Sequence, residues 1–141
     1  MNESFKVTRK FHVARKQHGR MQLRDGAASD VPVGRVPRIA RLMALAIRCD
    51  QLIRDGLIAN QSELAEFGRI TTARMTQIMV LLNLAPDIQE KILFLPRTER
   101  GRDVLKETDV RPIASTLDWR KQRRMWAALQ RDLEDANASS R

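Results

Sequence analysis

The sequence predicts a mainly α-helical protein built around a helix-turn-helix, with a small N-terminal β hairpin or extended basic arm in front and a long C-terminal helix behind. Three observations predict it. From residue 38 onward, apolar residues recur at three- and four-residue steps, the spacing of amphipathic helices. The stretch SELAEFGRITTARMTQIM at 62–79 reads as a short helix, a tight corner and a second helix. Residues ahead of 38 alternate loosely instead and carry glycines and prolines that resist helix. The chain thus divides into an arm or hairpin at 1–37, a helix-turn-helix core at 38–108, and a basic C-terminal helix with a frayed tail at 109–141.

The elements follow in order. In FKVTRKFHVARK, Phe5, Val7, Phe11 and Val13 keep a loose period of two, suited to a strand or half a hairpin. Asp25-Gly26 is a hairpin-turn dipeptide, and Pro32, Gly34 and Pro37 follow it. Ile39, Leu42, Met43, Ala46, Cys49 and Ile53 form one stripe of a helix over 38–55, opened by Pro37 and stopped by Gly56. Asn60 is an N-cap for the next helix, with Glu63 placed to reach back as in a capping box. Leu64, Ala65 and Phe67 supply its apolar face, and Gly68 ends it. Thr71 caps a helix over 72–84 whose core positions are Met75, Ile78, Met79 and Leu82. Pro86 opens PDIQEKILFL, with Asp87 and Glu90 in the first turn where the helix dipole favours them, and Pro96 stops it. Residues 97–108 read as a loop. One long helix then starts near Thr108 or Asp109 and carries Ile113, Leu117, Met125, Trp126, Leu129 and Leu133 inward.

Composition narrows the function. Lys and Arg outnumber Asp and Glu by 26 to 17, a net charge of +9 that suits a polyanionic partner, nucleic acid before membrane surface. Ten of the cations against three acids (Glu3, Asp25, Asp30) lie between residues 1 and 41. The single cysteine, Cys49, sits in a helical stripe and reads as a small buried hydrophobe. One Cys and two His do not make a structural zinc site, so no metal or cofactor is expected. The chain has no Tyr to serve as a recombinase nucleophile, no glycine-rich phosphate loop and no His-x-x-x-His, and no enzyme is expected. No apolar run of membrane-spanning length occurs, and the N-terminus lacks the apolar centre of a signal peptide. The expected location is the cytoplasm, in association with the nucleoid.

The stretch at 62–79 meets the physical demands of a DNA-reading helix pair. The first helix needs a small residue where the second crosses it, which is Ala65. The corner needs an apolar plug, which is Ile70. The second helix needs an inward stripe and an outward edge of short or forked polar side chains. Thr72, Arg74, Thr76 and Gln77 form that edge. Arg matches guanine O6 and N7, Gln matches adenine N6 and N7, and Thr meets a phosphate or a thymine methyl. Thr71, Arg69 and the backbone amides after Thr71 are placed to hold a phosphate at the helix start. Further phosphate contacts are assigned to Lys10, Arg15 and Lys16 in the arm, and to Arg120, Lys121, Arg123 and Arg124 in the last helix. An ordinary αα-corner with a solvated polar face is the plainer alternative. Trp119 and Trp126, seven apart, read as anchors of the last helix to the core or to a second subunit.

SELAEFGRITTARMTQIMVLLNLAPDIQEKILF, residues 62–94, resembles the helix-turn-helix region of the ParB partition proteins and the related KorB repressors. That family joins a Ser-x-x-x-Leu-Ala helix through a Ser/Thr-rich corner to a recognition helix and a LLxLxPxIQxxI run. Leu81, Leu82, Leu84, Pro86, Ile88, Gln89 and Ile92 match the run. The resemblance implies that helix 72–84 reads DNA and that the helix after Pro86 braces it. The family usually has Gly at the corner position held by Arg69; here the Gly is Gly68. The length leaves no room for the nucleotide-binding domain that precedes this region in that family, so CTP-dependent clamping is not implied. GRVPRIARLMALAIR and RPIASTLDWRKQRRMW also resemble small recombinase-associated proteins of mobile elements. The expected function is sequence-specific binding of double-stranded DNA, as a transcriptional regulator or a recombination accessory factor. A symmetric operator would bring a homodimer, with the last helix as its interface. The alternative is a protein-interaction module that docks on a site-specific recombinase or another partner through the C-terminal helix.

Overall fold

The structure, a computed structural model, describes residues 8–15, 21–25 and 33–140. Phe5, Val7, Lys16, His18, Gly26 and Pro32 lie outside the described residues. The chain divides into two compact units, one ending at Val33 and one beginning at Gly34. In the first, Phe11–Arg15 (β1) pairs antiparallel with Met21–Asp25 (β2), Phe11 opposite Asp25 and Arg15 opposite Met21. Asp25 therefore stands at the open end of the ladder, not at its turn.

The second unit is helical: α1 (Arg38–Arg54), α2 (Gln61–Gly68), α3 (Thr72–Met79), α4 (Pro86–Leu93), α5 (Glu107–Ala114) and α6 (Trp119–Ser139). Pro37 precedes α1 and offers no side-chain cap. The cap comes from far along the chain. Asp103 Oδ2 accepts from the Arg38 amide at 2.8 Å, while its Oδ1 accepts from Arg35 Nη2 and Thr98 Oγ1, both at 2.8 Å. Those bonds, the Arg38 amide first, hold the Asp103 carboxyl below the ordinary aspartate range. Gly34, at φ 98°, lets the backbone pass where a Cβ would lie 2.8 Å from Thr98 O. Gly56, at φ 73°, follows the end of α1 as a C-terminal glycine should.

The main core gathers Ile39, Met43 and Ala46 of α1, Ile78 of α3, Leu81, Leu84 and Ala85 beyond it, Ile88 and Ile92 of α4, Val110, Ile113 and Ala114 of α5, and Trp126 of α6. A smaller cluster of Cys49, Leu64, Ala65, Met75 and Met79 fastens α2 to α1 and α3. Each large buried side chain stabilises the fold by about 1.5–3 kcal/mol of transfer free energy. Cys49 is buried, and burial pushes its thiol up, away from reactivity.

Two helix boundaries differ from the sequence expectation. The helix expected over 72–84 is α-helical only to Met79, and Val80–Asn83 winds as a tighter 3-10 turn. Pro86 explains the change: it has no amide to donate and forces Ala85 into an extended conformation, ψ 142°. The ladder therefore ends early, and side chains take over the freed groups. Gln89 Nε2 donates to Leu82 O at 3.0 Å and to Leu84 O at 2.9 Å. Gln122, fully buried, accepts from the Ala85 amide at 2.7 Å and donates to Asn83 O at 3.0 Å and Thr116 O at 2.6 Å.

The second difference is at the C-terminus, where the single long helix is two. Ser115 and Thr116 turn their hydroxyls back onto Arg111 O and Pro112 O, at 3.0 and 3.1 Å, a local bonding that competes with helix propagation. Asp118 then caps α6 by accepting from the Arg120 amide at 2.9 Å. Leu117 falls in the break and is 83% exposed instead of packed. Trp126 anchors α6 in the core at 3% exposure, whereas Trp119, in the first turn, stands 47% exposed beyond the core's edge.

Replacing Gln122 by Leu is expected to destabilise the protein by about 2–4 kcal/mol, because it leaves buried backbone groups unpaired. Urea unfolding checks this, with a lowered midpoint and an unchanged slope.

Candidate nucleic-acid interface

The interface is built from caps and a corner. Asn60 Oδ1 accepts from the Glu63 amide at 3.0 Å, which starts α2. Glu63 reaches back as expected, but its Oε2 takes the Ala59 amide at 2.8 Å and not that of the cap residue. α2 ends at Gly68, and Arg69 takes the left-handed conformation, φ 52° and ψ 42°. It is the one non-glycine residue with positive φ among the described residues. The Ile70 amide then donates back to Ala65 O at 3.1 Å, as at many helix C-termini. Arg69 thus does by strain what a glycine does freely.

The corner delivers Thr71, whose Oγ1 accepts from the Arg74 amide at 3.1 Å and caps α3. Ala65 is buried beneath the crossing, as its size predicts. Ile70 does not plug the core. The left-handed turn carries it to the rim, 36% exposed, and Phe67 is 72% exposed on the outer side of α2. Both were expected inside.

α3 divides sharply into two sides. Met75, Ile78 and Met79 are buried, while Thr72, Thr76 and Gln77 face solvent. Thr76 donates its hydroxyl to Thr72 O at 3.0 Å, so outward it offers a methyl and an oxygen acceptor. Arg74 stands apart from this set. Its guanidinium grips Glu107 of α5 with both terminal nitrogens, Nη1 to Oε1 at 2.6 Å and Nη2 to Oε2 at 2.9 Å. Nη1 also donates to Gln77 Oε1 at 3.1 Å, and Arg111 Nη2 donates to Glu107 Oε1 at 3.1 Å. The Arg74 side chain is 27% exposed and that of Glu107 is 13% exposed. The Arg74 hydrogen bonds hold the Glu107 carboxyl below its ordinary value, against burial, with Arg111 adding to the lowering. The same pairing raises Arg74.

The other assigned cations are distributed as follows. Arg69, Arg120, Lys121, Arg123 and Arg124 are exposed, as is Lys10 in the N-terminal unit. Arg123 is committed: its Nε and Nη2 bond the Asp87 carboxylate at 3.0–3.2 Å, and that contact holds Asp87 below the ordinary range. Arg120, Lys121 and Arg124 make no ion pair among the described residues. Gln122 seats their turn of α6 against the turn between α3 and α4, through Asn83 and Ala85. Lys16 and the Arg15 side chain lie outside the described residues.

Glu107, Arg111 and Gln122 are not among the site residues the sequence points to. The Glu107–Arg111 spacing of four on a helix was the available sign; nothing local announces the Arg74 and Gln122 contacts. No helix of the described residues is long and apolar enough to cross a membrane. Comparison of the chain with protein-family models, curated proteins and solved structures gives no match.

Two outcomes are expected. Arg69→Gly leaves stability within about 0.5 kcal/mol or raises it, whereas Arg69→Val lowers it by about 1–2 kcal/mol; thermal unfolding of the two variants checks the corner. Glu107 has a folded-state pKa below its ordinary value of 4.5. Its pairing therefore stabilises the fold fully above that pH and is lost as pH falls through the folded value. The stability gap between the wild type and Glu107→Gln should be widest near neutral pH and close on acidification, as read by unfolding at a series of pH values.

Proposed function

We propose that this chain binds double-stranded DNA in a sequence-specific manner, laying the outward edge of α3 in the major groove. One observation carries the reading: a capped helix behind a left-handed corner, with Met75, Ile78 and Met79 buried on one side and Thr72, Thr76 and Gln77 exposed on the other. An edge of this kind matches the chemistry of base readout. The exposed cations Arg69, Arg120, Lys121 and Arg124 supply the phosphate attraction. The likeness of residues 62–94 to ParB and KorB helix-turn-helix regions supports the same reading and favours a regulator or a recombination accessory factor.

A second reading has its own observation. Leu117 and Trp119 are both solvent-exposed at the α5–α6 corner, and an apolar pair there suits a protein contact, with a second copy or with a recombinase. Salt separates the two classes, since a phosphate-driven complex weakens steeply and linearly on a logarithmic salt scale, whereas an apolar contact does not.

Selection of bound duplexes from a random pool is expected to yield a preferred site, palindromic if a dimer binds. On that site, Gln77→Ala should cost about 1–3 kcal/mol of discrimination at a single base pair. Lys121→Ala should weaken all sequences alike and flatten the salt dependence by about one phosphate. Discrimination left intact in Gln77→Ala and in Thr72→Ala together would remove α3 as the reader.

A further inference from the structure

Arg74 sits at the start of the proposed reading helix, yet its charge is already answered within the fold. Its fork lies on Glu107, at 2.6 and 2.9 Å, and α5 presents that carboxylate in its first turn, where the helix dipole favours an anion. An arginine in this state has little to give to DNA: it is held, and a carboxylate beside it repels phosphate. The second cation at the cluster is differently placed. Arg111 reaches Glu107 with Nη2 alone, at 3.1 Å, and its Nε is buried with no hydrogen-bond partner. Glu107 and Arg111 are four apart on α5, with the acid on the N-terminal side, the favourable order for a helical pair.

We propose that Glu107 and Arg111 form an exchange gate for Arg74, in which duplex DNA draws Arg74 off the carboxylate and Arg111 takes its place. In the closed state Arg74 occupies both oxygens and leaves the Arg111 Nε unpaired. In the open state the Arg111 fork, Nε and Nη2 together, engages both oxygens, as guanidinium geometry allows. The carboxylate is never left unpaired, so the release of Arg74 does not expose a buried charge, a step that would otherwise be costly. Glu107 and Arg111 are then positioning residues that set how readily Arg74 meets DNA. The gate also limits weak, indiscriminate phosphate contact, since only a ligand that competes with a bidentate carboxylate opens it. This inference rests on the proposed DNA-binding function.

The test is a set of variants of the full chain titrated with a short mixed-sequence duplex over a range of salt concentrations, with thermal unfolding run alongside. Glu107→Gln removes the charge that holds Arg74. It is expected to bind roughly three- to tenfold more tightly, with a salt slope steeper by about one phosphate. Arg111→Lys cannot fork, and is expected to weaken binding severalfold in the wild-type background and to have no effect in the Glu107→Gln background. A residue that itself touched phosphate would weaken both. Should Glu107→Gln lose its fold, Glu107→Asp, one methylene shorter, serves in its place and is expected to move binding in the same direction. Unchanged or weaker binding by a folded Glu107 variant, or an equal loss from Arg111→Lys in both backgrounds, overturns the gate while leaving DNA binding intact. Failure of the wild type and the Glu107 variant alike to bind duplex overturns both readings.

Discussion

The reversal of the chain between Leu82 and Pro86 is the constraint on which the helical unit depends. Pro86 has no amide, and it bends the preceding residues out of the helix. That leaves the carbonyls of Leu82, Asn83 and Leu84 and the amide of Ala85 without helical partners, in a part of the chain where Leu81, Leu84 and Ala85 are all buried. Unpaired buried backbone groups cost about 1–3 kcal/mol each. Two glutamines meet the demand, Gln89 from one turn further along α4 and Gln122 from α6. A glutamine amide suits the place because it both donates and accepts and carries no charge to desolvate. The Gln122 amide also bonds Thr116 O, so the same side chain ties down the break between α5 and α6.

Seen from α3, this constraint is one of two anchors. The C-terminal end runs into the glutamine-bonded turn, and the N-terminal end is held to α5 by the Arg74–Glu107 pair. Between them lies the small cluster of Met75 and Met79 with Cys49, Leu64 and Ala65. Methionine fills such a space with a flexible, forgiving side chain, while Ile78 on the same face packs into the main core. The polar anchors at both ends add to that packing.

Local signals in the sequence carried most of this architecture. The stripes of α1 and α3, the caps Asn60 and Thr71, the crossing at Ala65 and the proline before α4 each rest on residues within a few positions of one another, where periodicity and capping chemistry speak directly. What stayed hidden depends on distance or on a backbone angle. Arg74 and Glu107 lie 33 positions apart, and Ala85 and Gln122 lie 37 apart; neither pair leaves a repeating mark. Ile70 looks inward in sequence because its spacing fits a continued stripe, but the left-handed Arg69 turns the chain just ahead of it, and Phe67 falls on the outer side of α2. The break at 115–118 has no glycine or proline within it to mark it, and Thr116 and Asp118, the residues that end one helix and begin the next, are common on ordinary helix surfaces.

Charge, too, is allocated more narrowly than the net value of +9 suggests. In the helical unit, Arg35 is paired with Asp103, Arg74 with Glu107 and Arg123 with Asp87. Three cations that fixed the sequence reading on α6 remain outside such pairs among the described residues, namely Arg120, Lys121 and Arg124. They flank Gln122 on the same turn. An α-helix rotates about 100° per residue, so a side chain buried at one position obliges its neighbours on either side to splay outward. Gln122 points into the core with its oxygen on Ala85. The basic edges of α6 are consequently oriented by the same amide that closes the turn between α3 and α4. Phosphate contacts fix the register of a protein on duplex and base contacts read it. On the proposed function, the basic turn of α6 and the segment that follows the reading helix thus share one support, the Gln122 amide bonded to Asn83 and Ala85.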